Sequence, residues 1–411
     1  MGTRHSGRIM YVGVGIQPAK GVPAYRFDWI QPDSISGLLP QFEEISSARR
    51  TGTRYRGTNY VGGSSVPVTV TQEANPENIG RVLLALLGSD SVVEDVLDEV
   101  YTHTFSITEE LPYVTIVAQT AGVADATGAE KLHRVTDVKL GTFGFSGGMD
   151  SPYMLEYSGI GIAREPVVAT TTATADGTTG GADLTITDAS AIVEGMAVSG
   201  DAGIPAGAVV QSVTINDGGD DTVTLDQSLT GDVTAASLTF EFAPAWPTAD
   251  AFMVKSEVST AKIEIGDDVG ALSQFDEARE FTLDNESGLA ADNRIDNTAN
   301  PTGIEEGESE LSGAMDVVYN AETYAEIDKW TQNADRAIRF TLRASSPFYS
   351  SGSDYHYTLA FTANAAKYNG APDVSWDPDV ISLSLPFMVD VADGFEIALT
   401  NGHSGAYSAA N

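Results

Sequence analysis

The chain holds 411 residues, with 58 acidic against 22 basic side chains and a formal net charge of −36. Such a surface repels phosphate backbones and argues against an electrostatic grip on nucleic acid, while 42% hydrophobic residues are enough for real cores and exclude wholesale disorder. The absence of cysteine excludes disulfide frameworks, thiolate zinc sites and thiol nucleophiles.

No run reaches the roughly 18 uninterrupted apolar residues of a membrane span, so no membrane anchor is expected. The opening MGTRHSGRIMYVGVG lacks a sustained apolar region, so no export signal is expected either. Lysine is scarce beside arginine (7 against 15), and aspartate numbers 33. At about 1 M salt the Debye length is about 3 Å, which screens the self-repulsion of such a surface, so a halophilic source fits this balance.

In chain order, residues 1–164 begin with a strand at Tyr25–Ile30 and a long loop containing RRTGTRYRGTNYVGG. An alternating strand at Val66–Thr71 follows. Asn75 reads as an N-cap, Pro76 as the first helical position, and Gly88 as the residue that stops a helix running through Leu87. HTFSIT and PYVTIVAQ alternate as strands, and VTDVKLGTFGFSGGMDSPYMLEYSGIGI reads as a closing strand pair.

Residues 165–245 differ in composition: from Glu165 to Val254 there is no Lys or Arg. Short strands at Leu184–Thr187, Val209–Ile215, Thr222–Leu225 and Ser237–Phe242, separated by Gly/Asp turns, suggest a small, self-contained β-sandwich module. Residues 246–411 repeat the element order of the first flank. A strand at Glu280–Leu283 leads to a long loop and a strand ending near Tyr319. Asn320 caps a helix over 321–333 that places Tyr324, Ile327 and Trp330 on one stripe, and alternating strands close the chain. The fold expected is therefore mainly β: two tandem β-rich domains, each with one packed helix, flanking the module.

Catalytic motifs are weak. GFSGG at 144–148 matches the nucleophile elbow and singles out Ser146, but Pro152 and the alternation after it suit a glycine-rich hairpin turn rather than a helix. The histidines His5, His103, His133, His356 and His403 form no metal-binding helical pair. Asp217, Asp220 and Asp221 could hold a hard cation, but they lack the calcium-loop spacing and read as a solvated hairpin tip. No cofactor is expected and the chain does not read as an enzyme.

Charge patterning is more informative. Residues 1–60 carry eight basic side chains against four acidic ones, a net of +4, so the remaining 351 residues carry −40. Arg49, Arg50, Arg54 and Arg56 lie on the loop of the first flank. The matching loop of the second flank, Asp284 to Glu310, carries eight acids, among them Glu305, Glu306, Glu308 and Glu310. Loops of opposite charge suggest an assembly interface between domains or molecules.

The units SVPVTVTQEANPENIGRVLLALLG, YTHTFSITEELPYVTIVAQ and RVTDVKLGTFGFSGGMDSPYMLEYSG, with EFTLDNESG and ELSGAMDVVYNAETYAEIDKW in the second flank, resemble the tail tube (major tail) proteins of long-tailed, siphovirus-like viruses. The resemblance spans both flanks but not the module, although members of the family commonly carry an extra immunoglobulin-like module on the outside of the tube, which fits residues 165–245. It implies β-sandwich domains that assemble into stacked rings forming the conduit for genome ejection, with DNA passing through unbound. It also implies a virion tail protein assembled in the host cytoplasm, with tail terminator, tape measure and baseplate proteins as partners. Two tube-like domains per chain would let three chains close a ring of pseudo-sixfold symmetry, with a hexamer as the other option. The competing reading is an extracellular, surface-layer or adhesin-type β protein of a halophile.

Overall fold

The computed structural model describes residues 10–46, 59–120, 131–148, 152–216, 219–244, 258–275, 278–292, 300–376 and 381–408. Among them the chain is mainly β, with a 20-stranded sheet, a six-stranded sheet, a two-stranded sheet and two α-helices, one in each flank.

In the first flank, Met10–Ile16 is hydrogen-bonded to Asp28–Ile30 on one side and to Val114–Thr120 on the other. Val114–Thr120 pairs in turn with the first half of the 18-residue strand Lys131–Gly148. The second half of that strand pairs instead with Met154–Gly161, which pairs with Asn59–Glu73. The switch of partner falls at Asp137, whose φ of 52° marks a bulge that bends the strand from one sheet layer to the other. Its carboxylate accepts from the Gly21 amide at 2.6 Å.

Two long-range pairings join the flanks. Ala278–Ser287 lies beside Lys131–Gly148, with Glu280 opposite Gly148 and Glu286 opposite Thr142. Phe395–Asn401 lies beside Val100–Ile107, with Glu396 opposite Ser106 and Asn401 opposite Tyr101. The result is one curled half-barrel sheet, and buried residues from Val12 to Tyr407 form a single hydrophobic cluster across both flanks. Inside it Phe281 stacks on Phe340 at 4.5 Å and Phe145 meets Phe361 at 4.6 Å, so aromatic rings of the two flanks interlock.

The segment GFSGG is a strand, not a turn. Ser146 sits opposite Met154 on one side and Thr282 on the other, and the next element is the strand Met154–Gly161 rather than a helix. The glycines make room: a Cβ at Gly147 would lie 2.0 Å from the Tyr153 ring.

Helix α1 (Gly80–Leu87) starts four residues later than Pro76. The Asn75 side chain accepts from the Glu77 amide at 3.0 Å, which makes 76–78 a turn instead of a first helical turn. All eight residues of α1 are buried, so tertiary packing holds it without a side-chain cap. Arg81 is buried with them because it pairs with Asp28; burial still pushes the Asp28 carboxyl above its usual range, with Arg81 opposing. The helix ends as expected at Gly88, whose φ of 96° lets its amide donate to Leu84.

Helix α2 (Ala321–Thr331) begins at the expected cap, where Asn320 Oδ1 accepts from the Thr323 amide at 3.0 Å and Thr323 Oγ1 accepts from the Asn320 amide at 2.7 Å. It ends at Thr331 rather than 333, and its inward stripe is shifted. Tyr324 is exposed, while Thr323 and Glu326 are buried beside half-buried Ile327 and Trp330. Glu326 can face inward because Arg336 donates to it at 2.8 and 3.0 Å and the Tyr368 hydroxyl at 2.7 Å.

The central module is one six-stranded sheet, ordered Ala197–Ser199, Val233–Glu241, Thr170–Gly177, Asp183–Ile186, Asp221–Leu225, Val210–Thr214. Its two ends are bridged by Ala197 and Val209, so the expected sandwich takes the form of a sheet curled onto itself. Where it meets the first flank, its core continues into that flank. Tyr11, Trp29, Val117 and Leu132 of the first flank belong to the same buried cluster as Met196, Val210, Phe240 and Phe242. The reason is aromatic packing across the junction: Trp29 lies 5.3 Å from Tyr11 and 6.2 Å from Phe242, and a Cβ at Gly195 would lie 2.2 Å from the Phe27 ring. Arg134, bonded to Glu194 at 2.8 Å, and Arg26, bonded to Asp226 at 3.2 Å, flank this contact.

Candidate assembly surface

The acidic segment of the second flank folds as a strand pair with a small extension. Ala278–Ser287 pairs with Ser309–Val318, and Ala290–Asp292 pairs with Gly303–Glu305. Its four singled-out glutamates separate into different roles. Glu306 turns back onto the first flank, where it forms an ion pair with the buried Lys139 and accepts from the Leu111 amide at 3.2 Å. The Lys139 ammonium also lies 4.7 Å from the centre of the Tyr113 ring, and Lys20 donates to the Thr302 carbonyl beside it. This carboxylate therefore serves a contact within the chain. Glu305, Glu308 and Glu310 are exposed. Arg49, Arg50, Arg54 and Arg56 lie outside the described residues.

Lys139, Tyr113 and Lys20 are the participants that sequence reasoning missed. Nothing local marks them, since Lys139 and its partner are 167 positions apart.

Glu308 and Glu310 line a groove of about 700 Å³ with Glu286, Asp335 and Asp390. Its floor is apolar, built from Leu311, Val389 and Val391 with the exposed Met388. Lys367, 3.3 Å from Asp335, is the single cation among these lining residues. Glu286 and Glu310 face each other in register on adjacent strands, an arrangement that costs stability while nothing lies between them.

The cation candidates do not converge. Asp217 lies outside the described residues, and the Asp221 carboxylate is buried, accepting from the Ala189 and Asn216 amides at 2.7 and 2.9 Å. The Asp220 carbonyl accepts from the Asn216 side chain at 2.8 Å. Among the described residues no three acidic or histidine side chains cluster to hold a metal.

Three of the described histidines are held by hydrogen bonds through their rings. His103 is fully buried, with Nδ1 3.3 Å from Asp90 and Nε2 3.0 Å from the His403 carbonyl. His133 accepts from Arg164 at 2.9 Å, and burial with that guanidinium holds its pKa below the usual value. His356 lies 2.9 Å from the Ala344 carbonyl, and His5 lies outside the described residues.

One further surface is relevant. The strand Gly88–Val96 is hydrogen-bonded to Val100–Ile107 and, among the described residues, to no other strand. Its hairpin exposes Val93 at 60% and Leu97 at 75%. An open edge with apolar side chains is a template for pairing with another strand.

Residues 194–389 match the family model described as phage tail tube protein. Over this stretch, the chain is similar to phage tail tube proteins. No curated protein matches the chain. The tail tube match starts inside the central module, at Glu194, and ends at Val389, so it covers the acidic strand pair, helix α2 and the groove carboxylates Glu286, Glu308, Glu310 and Asp335, and stops one residue before Asp390. The first flank, whose strands complete the same sheet, lies outside it. The matched family is a component of the phage tail tube, which is a structural assembly.

Proposed function

We propose that the chain self-assembles into the wall of a phage tail tube, with a structural role and no catalytic step. Residues 1–164 and 246–411 act as two wall units and 165–245 as a module on the outside of the tube. Three chains then close a ring of pseudo-sixfold symmetry, and rings stack into the conduit for genome ejection. The observation that carries this reading is the curled sheet continuous through both flanks, which ends in the open strand Gly88–Val96. A sheet of that kind with an exposed apolar edge is stabilised when another copy covers the edge, and repeating the operation closes a ring. The net charge of −36 suits a channel through which DNA slides without adhering. Tail terminator, tape measure and baseplate proteins would be its partners in the virion, after assembly in the host cytoplasm.

Electron microscopy of the purified protein at low salt and at about 1 M salt tests the reading, the high-salt arm having self-repulsion screened. Rings or tubes with threefold class averages are expected. Dispersed monomers under both conditions, with a folded circular-dichroism spectrum, would overturn it.

A further inference from the structure

We infer that the acidic groove formed by Glu286, Glu308, Glu310, Asp335 and Asp390 receives the arginine segment Arg49–Arg56 of a second copy. This rests on the self-assembly reading and names the contact that would hold copies together. The groove has five carboxylates on its rim against the single ammonium of Lys367, over a floor of Leu311, Val389 and Met388. Two of those carboxylates, Glu286 and Glu310, are placed directly opposite each other, a repulsion that a cation between them would relieve. The occupant follows from the charge distribution of the chain. A surface of −40 outside residues 1–60 offers carboxylates everywhere, yet four arginines are concentrated within 49–56. A guanidinium fork suits this rim better than an ammonium, because it can bridge two carboxylates while its flat faces lie on apolar side chains such as Met388. Glu306 is excluded from the interface because Lys139 already holds it.

The absence of cysteine permits a direct test. An Arg50→Cys protein is mixed with a Glu308→Cys protein under assembly conditions and oxidised, and the peptide joining positions 50 and 308 is sought by mass spectrometry. Asp183→Cys, exposed on the module, replaces Glu308→Cys as the control. The expected result is a 50–308 link well above the control. Adding Arg49→Glu, Arg54→Glu and Arg56→Glu to the Arg50→Cys protein should lower the yield by about tenfold, the scale set by losing three exposed ion pairs. A link that forms only inside a single chain carrying both cysteines would overturn the proposal, since the groove would then serve its own arginine segment. Absence of the 50–308 link also overturns it. Microscopy of the same samples separates the two questions: rings without the link refute the groove and keep the tube, and dispersed monomers refute the tube reading as well.

Discussion

Trp29 packs at the junction between the first flank and the central module, and truncating it gives a graded test. The ring is 7% exposed and packs between Tyr11 of its own flank and Phe242 at the end of the module, with Phe27 5.5 Å away. Trp29→Ala removes the transfer energy of a buried indole and leaves a cavity, a loss of about 3–5 kcal/mol. At about 1.4 kcal/mol per tenfold, local opening at the junction should rise by about a hundredfold to a few thousandfold. Amide hydrogen exchange is the assay: Thr170–Gly177 and Val233–Glu241 should lose protection together with Met10–Ile16, while α2 and Arg336–Ser350 keep theirs. A double-mutant cycle sharpens the result. Because Trp29 and Phe242 meet edge-on at 6.2 Å, Trp29→Ala and Phe242→Ala should couple by about 0.5–1.5 kcal/mol. A coupling near zero, or module strands whose protection is untouched by Trp29→Ala, would show that the module folds on its own and that the shared core is not energetic.

Two other predictions concern charge. Glu306→Gln leaves the buried Lys139 ammonium without its carboxylate and should lower stability by about 3–5 kcal/mol in denaturant unfolding, with Lys139→Met in the same chain restoring much of the loss. His403 stacks on Tyr407 at 4.1 Å, and burial, reinforced by Arg81, pushes its pKa down to about 4. The unfolded chain therefore binds this proton first, so the contribution of a neutral His403 is complete above about pH 6.5 and is lost as pH falls toward about 4. His403→Phe keeps the stacked ring without the titration. The stability difference between wild type and His403→Phe should thus be flat above about pH 6.5 and shift against wild type below it; a difference independent of pH would refute the assignment.

What was legible in the sequence is what depends on neighbours a few residues apart. Gly88 stops a helix because only its own φ and the Leu84 carbonyl are involved, and Asn320 starts one because its partner is Thr323. The strand alternation and the repeated strand–helix–hairpin order of the flanks are local in the same sense. Where a local signal had a competitor, tertiary packing decided. Asn75 closed an Asx turn rather than a helix cap, and a helical stripe shifted because Arg336 and Tyr368 made it possible to bury Glu326.

The candidate site was legible only as opposite charges on two loops. That Glu306 turns inward while Glu308 and Glu310 rim a groove depends on Lys139 and on strand ends far away in sequence. Composition and periodicity by themselves determined a mainly β chain with one helix in each flank, a basic-free insert, and a net charge of −36. Only the tertiary structure decided that the flanks share one sheet through the pairing of Glu280 with Gly148 and of Glu396 with Ser106, and that Trp29 and Phe242 fasten the insert to the first flank. A strand's alternation states which face is buried but not which edge it will meet. That choice is made by backbone edges and side-chain shapes brought together from more than a hundred residues apart.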